Sequence, residues 1–278
     1  MKFEDLGLSE KTIKAIKEVG IGEPTTVQCD VIPSILEGKD VFTIAPGGCG
    51  KTCSYVFPLI DIMAQKKAKN ILIITSGAKQ SVTVSDRFAV FNKYHEFSET
   101  AVTDDEENVD TEANVIIASP DLLSDLINEG KVDVSATDIL VVDDINLIKK
   151  FHQLAKLEKI LEKLPAEKQN IIFTNRRSKE TQDILDKILQ TPAEIKVDKN
   201  KELEAVNSEN VATADNILSE QKAKKSESKK HSERNIDKEL SADNKYDSEA
   251  MRLVKQYHVF GRKTPEYLLI NTDLAEDE

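Results

Sequence analysis

The segment Ala45-Pro46-Gly47-Gly48-Cys49-Gly50-Lys51-Thr52 carries the residue types that grip a polyphosphate. Glycines let successive amide hydrogens turn toward one anion, and a helix opening directly after them presents its positive end to the same charge. Gly47, Gly48, Cys49 and Gly50 are therefore candidate backbone ligands for phosphate. Lys51 is placed to reach the outer phosphates, and the Thr52 hydroxyl to ligate Mg²⁺. The general pattern opens with glycine where this chain has Ala45. Farther along, the acids Asp143-Asp144 close a second apolar run.

Such a cradle works only if a strand delivers the loop and a helix receives it. Residues 41–44 are apolar, and an amphipathic segment begins near Cys53. Further short apolar runs at 71–74, 115–118, 139–142 and 171–173 alternate with longer helical patterns. Over residues 1–199 this is the rhythm of βαβ units, an α/β domain whose parallel sheet is flanked by helices. The two acids follow the 139–142 run, where a P-loop nucleotide-binding fold needs them. Ahead of the first strand, Ser9 suits a helix N-cap, Ile13, Ile16 and Val19 mark one helix face, and Gly20 ends it.

Composition narrows the setting. With 39% hydrophobic residues in 278, part of the chain can build a sizeable core. No apolar run approaches the roughly 20 residues of a membrane span. Met1-Lys2-Phe3-Glu4-Asp5 lacks the apolar core of a signal peptide, so the expectation is an intracellular protein with no membrane partner. Cys29, Cys49 and Cys53 are too few for a disulfide framework and lack clustered histidines, which suits a reducing compartment. Cys49 is either an oxidisable thiol favoured by the helix terminus or an inert small residue. The net charge of -12 gives no general attraction for nucleic acid, so any RNA contact would be local.

From residue 200 to 252 the composition turns to Lys, Glu, Ser, Asp and Asn, which cannot bury enough apolar surface to offset ordering entropy. A charged, disordered linker is expected there, and its tract from Lys222 to Lys230 reads either as solvated linker or as a basic tethering or import patch. Residues 253–278 open with a small apolar return, Leu253 to Phe260.

Phe3, the run Gly20-Ile21-Gly22-Glu23-Pro24-Thr25-Thr26-Val27-Gln28, the approach Leu36-Glu37-Gly38-Lys39-Asp40 and the glycine loop together resemble the first RecA-like domain of DEAD-box RNA helicases. The likeness covers residues 1–199, returning faintly over 253–274. That family's loop also opens with alanine. The resemblance implies a RecA-like P-loop NTPase domain, ATP or ADP with Mg²⁺ as ligand, and RNA as a partner. By position it gives Gln28 the reading of the adenine edge and Phe3 the packing against the base. It also makes Lys51, Asp143 and Asp144 the catalytic set, with Asp143 holding Mg²⁺ through water.

The chain also departs from that pattern. Asp143-Asp144-Ile145-Asn146 stands where the family has Asp-Glu-Ala-Asp, so Asp144 replaces the glutamate that positions the attacking water. Losing one methylene withdraws the carboxylate by roughly 1 Å, a displacement that costs about a hundredfold in rate. Ser76-Gly77-Ala78-Lys79-Gln80-Ser81 lacks the arginine of Pro-Thr-Arg-Glu-Leu-Ala, and Ser119-Pro120-Asp121-Leu122 puts an acid into Thr-Pro-Gly-Arg. Asp104-Asp105-Glu106-Glu107 lies between them, and acids there oppose RNA phosphates. Thr174-Asn175-Arg176 replaces Ser-Ala-Thr, and Arg176 and Arg177 are either phosphate contacts or surface charge. Residues 253–278 read as a remnant or the start of the second RecA-like domain, which in the family closes over the first. Two readings follow. One is a helicase-like ATP-binding protein with weak or lost RNA-dependent hydrolysis and unwinding; the other is a catalytically degenerate nucleotide-binding module acting as a partner-binding or regulatory domain.

Overall fold

A computed structural model describes residues 1–197, apart from 96, 104–109, 111 and 190. The expected linker at 200–252, the segment 253–278 and the acids at 104–107 lie outside the described residues. Among the described residues seven strands form one sheet: β1 (Val41–Ile44), β2 (Ile71–Thr75), β3 (Glu99–Ala101), β4 (Val115–Ala118), β5 (Ile139–Asp143), β6 (Gln169–Thr174) and β7 (Ala193–Lys196). Their order is β3-β4-β2-β5-β6-β1-β7, and every neighbouring pair is parallel. Parallel neighbours need crossover helices, which cover both faces and make central strands apolar throughout. Accordingly β1, β2 and β5 are buried at every position.

Alternate side chains divide between two cores, as the pleat requires. Val41, Ile71, Ile73, Val141 and Phe173 point to one face, covered by α1 (Glu10–Val19), α2 (Thr26–Leu36), α3 (Lys51–Ala64) and α4 (Ala78–Phe91). Phe42, Ile44, Leu72, Ile74, Leu140, Val142 and Ile172 point to the other, covered by α5 (Pro120–Asn128), α6 (Ile145–Lys150), α7 (Leu154–Leu161) and α8 (Lys179–Ile188). Each such fully buried aliphatic side chain contributes about 1.5–3 kcal/mol. The fold is the expected α/β arrangement of a parallel sheet flanked by helices.

The five expected strands are all present, with β2, β5 and β6 slightly longer than their apolar runs. Two strands have no counterpart in the sequence reading. β3 and β7 are short edge strands, and in β7 Ile195 is buried while Glu194 and Lys196 are exposed, too brief an alternation to register as a pattern. α1 begins at the Ser9 cap, whose hydroxyl accepts from the Thr12 amide, and ends at Gly20 with φ 92°. Its buried face includes Thr12 as well as Ile16 and Val19, because the wholly buried Asp61 of α3 accepts hydrogen bonds from Thr12 Oγ1, Ser9 Oγ and Ser9 N.

Since all strands run the same way, their C-terminal ends share one edge of the sheet. That edge collects the loop after β1, Ser76 after β2, the acids at the end of β5 and residues 174–177 after β6. β1 pairs with β6 and β7, while β2 pairs with β4 and β5, so the chain crosses the sheet between β1 and β2 and opens a crevice at this edge.

Candidate nucleotide-binding site

The loop between β1 and α3 is held by the start of α2. Thr25 Oγ1 donates to the Cys49 carbonyl at 2.9 Å, and Gln28 Nε2 to the Gly50 carbonyl at 3.4 Å. Thr25 and Gln28 also form a capping box: the Thr25 amide donates to Gln28 Oε1 at 3.1 Å and the Gln28 amide to Thr25 Oγ1 at 3.3 Å. Gly50 sits at φ 85°, and a Cβ there would lie 2.8 Å from Gln28 Nε2 and 3.1 Å from Thr25 Oγ1. Only glycine fits both the backbone and the contact. Gly48, at φ 81°, supplies the other left-handed residue of the loop.

Lys51 opens α3 with its ammonium turned back across the loop, donating to the carbonyls of Ala45 at 2.9 Å and Pro46 at 3.0 Å. The same nitrogen lies 4.0 Å from Asp144 Oδ2. Cys49 is buried and its thiol donates to the Pro46 carbonyl at 3.0 Å, the geometry of an inert packing residue. Thr52, next on α3, hydrogen-bonds Tyr55, whose hydroxyl donates to Asp143 Oδ2 at 2.9 Å. Gln80 bonds the same carboxylate while its Oε1 accepts from Ser76 N at 3.2 Å. A chain of polar contacts thus runs from α3 through Asp143 to the start of α4.

Burial pushes the Asp143 carboxyl up to about 6, against the opposing pull of the Tyr55 hydrogen bond and the Lys51 charge. Burial also raises Asp144, again opposed by Lys51. Removed from water, the Tyr55 hydroxyl is pushed well above its ordinary value, with the Asp143 charge adding to the effect.

Asp144 caps α6, Oδ1 accepting from the Asn146 amide at 3.1 Å. Its short side chain is therefore engaged at the strand end. Asn146 Nδ2 reaches Thr174 Oγ1 at 2.7 Å, the Arg176 carbonyl at 2.6 Å and Asn175 Oδ1 at 3.3 Å. Where the family has an acid, this chain has a donor that meets three acceptors, so β5 and β6 remain tied through reversed polarity.

The structure brings Gln28, Gly50, Lys51, Thr52, Asp143 and Asp144 to one crevice. Gln28 is 3% exposed, with its amide engaged by Thr25 and Gly50. Phe3 is placed otherwise: its ring is 3% exposed and packs edge-on against Phe57 of α3, centroids 5.8 Å apart. It anchors the N-terminal turn Phe3–Leu6 to the helix that carries Lys51. Thr25, Tyr55 and Gln80 escaped the sequence reading. Thr25 lies three residues before Gln28, the capping-box interval, and Tyr55 lies four after Lys51, hence one turn along the same helix face; Gln80 gives no comparable signal.

Among the described residues no group of three or more His, Cys, Asp or Glu side chains could hold a metal ion. Mg²⁺ is commonly held by one or two protein oxygens together with water and substrate phosphates. Thr52 and Asp143 are the oxygens that could hold it, and the left-handed glycines with the Lys51 ammonium could receive a polyphosphate beside it.

Comparison with known proteins agrees with this geometry. Residues 25–184 match the DEAD/DEAH box helicase family. The chain is 27% identical over 201 residues to the DEAD-box ATP-dependent RNA helicase RhpA of Helicobacter pylori, covering 70% of this chain and 41% of that protein. It is 26% identical over 208 residues to the ATP-dependent RNA helicase DeaD of Haemophilus influenzae, covering 72% and 34%. The chain thus spans well under half the length of these relatives. A DEAD box protein from Methanococcus jannaschii shares the fold with TM-score 0.66 and 22% identity, over 74% of this chain and 62% of that one.

Two expectations follow. The unfolded Asp143 carboxyl titrates near 3.8 and the folded one at about 6, so the folded state binds that proton more tightly. Stability of the ligand-free protein is then greatest below the lower value for this group and falls as pH rises through the interval. Asp143→Asn should remove the fall, outlasting the parent near neutral pH by about 2–3 kcal/mol in urea titrations, with the gap closing in acid. A parent stability that is flat between those values would contradict the assignment. Separately, Asn146→Asp, the change toward the family residue, should destabilise by about 1–3 kcal/mol, since a carboxylate would face the Arg176 carbonyl and Asn175 Oδ1. Urea unfolding at neutral pH checks this, and unchanged stability would count against the reversed polarity.

Proposed function

This chain belongs to the DEAD/DEAH box helicase family, and from that premise we propose that its crevice binds Mg-ATP or Mg-ADP as the nucleotide-binding half of a helicase-like machine. The observation that carries the reading is the Lys51 ammonium, drawn across the loop onto the Ala45 and Pro46 carbonyls beside Gly48 and Gly50, whose left-handed backbone lets amides turn toward an anion. A polyphosphate takes those amides and the ammonium together. Thr52 and Asp143 are the residues that would hold Mg²⁺, through the hydroxyl of the first and the carboxylate of the second. The metal, when bound, offsets phosphate charge.

Adenine is read by Gln28, which gives up bonds to Thr25 and Gly50 for the paired donor and acceptor of the base edge. Phe3 acts from behind, fixing α3. Hydrolysis is slow. Asp144 already accepts the Asn146 amide and lies near Lys51, so its short carboxylate is not free to orient water. RNA contact is weak, because Asp121, at the position of a family cation-bearing motif, is instead tied to Gln153 at 2.7 Å and Lys156 at 3.0 Å. The relatives' names describe RNA helicases; the reading for this chain is a nucleotide-responsive domain of that kind with little turnover of its own.

Calorimetry and phosphate release test the two halves together. ATP and ADP should bind in Mg²⁺ while GTP binds at least about tenfold more weakly, the cost of unpaired polar groups against the wrong base. Lys51→Ala should abolish binding, and RNA should not raise phosphate release above the Lys51→Ala level. Equal binding of GTP would remove Gln28 from its role. RNA-dependent release well above the control would remove the proposed loss of turnover.

A further inference from the structure

A pocket of about 590 Å³ opens where β6, β1 and β7 end. Ala45, Pro46 and Gly47, the first half of the loop, form one wall, while Arg176, Arg177 and Lys196 stand along the others. Among the described residues no carboxylate lines it. The three cations are not equivalent. Arg177 pairs with Glu194 of β7 at 2.5 Å, and its guanidinium lies 5.5 Å from the centre of the Phe42 ring, so it is engaged in packing the sheet edge. Among the described residues neither Arg176 nor Lys196 forms an ion pair, and both are exposed. Arg176 is nevertheless fixed at its backbone, where its carbonyl accepts from Asn146 Nδ2 at 2.6 Å and Thr174 Oγ1 at 2.8 Å.

The two halves of the loop face different surroundings. Thr25 and Gln28 hold the carbonyls of Cys49 and Gly50, so the nucleoside end lies toward the second half. The phosphate farthest from the base then lies toward residues 45–47, at the mouth of the basic pocket. Resting on the Mg-nucleotide reading above, we propose that Arg176 and Lys196 contact the terminal phosphate of a nucleoside triphosphate from within the same domain, so that the chain separates triphosphate from diphosphate by charge at that end. Arg176 follows β6 and Lys196 ends β7, the two strands that flank β1, so they form the two sides of this contact. With neither side chain in an ion pair among the described residues, their charge is available to the phosphate.

Calorimetry with a non-hydrolysable ATP analogue and with ADP, both in Mg²⁺, tests the inference on the full chain. Arg176→Gln and Lys196→Gln should each weaken the triphosphate roughly tenfold while leaving ADP within about twofold. Arg176→Lys should restore part of the difference, and Arg177→Gln should leave the ratio of the two affinities unchanged. Thermal melts of each variant show that the fold is intact. If the variants weaken both nucleotides equally, or neither, Arg176 and Lys196 do not select the terminal phosphate, although the nucleotide site stands. If the parent chain binds neither nucleotide, the underlying reading falls and this inference with it.

Discussion

Burying both faces of a parallel sheet forces all its strands to finish on one edge, and every chemical feature of this protein depends on that constraint. The loop that follows β1, the acids that end β5 and the polar turn after β6 are far apart in sequence, yet they arrive at the same edge because their strands run together. The apolar side chains that fix the strands alternate between two cores, so a register slip of one residue would exchange the cores and scatter the site. Placement of the site is thus a consequence of packing, while its charge is set locally.

Locally, three ties hold the crevice. The start of α2 grips the second half of the loop through Thr25 and Gln28, and Gly50 permits the approach. Tyr55 and Gln80 hold Asp143 from two helices. Asn146 joins the end of β5 to residues 174–176. Together these ties keep two acids and one ammonium in a region poor in water, where burial raises both acids and Lys51 lowers them. An ion pair of that kind gains little from folding, so its presence fits a site arranged for an incoming charge.

Much of this was legible in the sequence. The five central strands are apolar runs bounded by polar residues, and the Ser9 and Gly20 caps bracket α1 at its observed ends. The glycine loop and the paired acids were legible by type and spacing, and Gln28 through the resemblance to the DEAD-box pattern. The short edge strands did not, because three or four residues with one exposed face carry too little pattern. Nor did the position of Phe3. Its sequence neighbours do not reveal that Phe57, more than fifty residues on, draws its ring into the core. The Tyr55 and Gln80 contacts with Asp143 are likewise products of three-dimensional packing, since helix spacing says which face Tyr55 occupies but not which acid waits there. The departure at Asn146 reads as loss in the sequence and as a donor meeting three acceptors in the fold.

The central claim is that the backbone of residues 47–52 is the surface that receives the phosphates. Amide hydrogen exchange, followed with and without saturating Mg-ATP, observes those N–H groups directly. Slowed exchange at 47–52, absent in Lys51→Ala, is the predicted result; unchanged exchange there in the presence of bound nucleotide would place the ligand elsewhere and contradict the account.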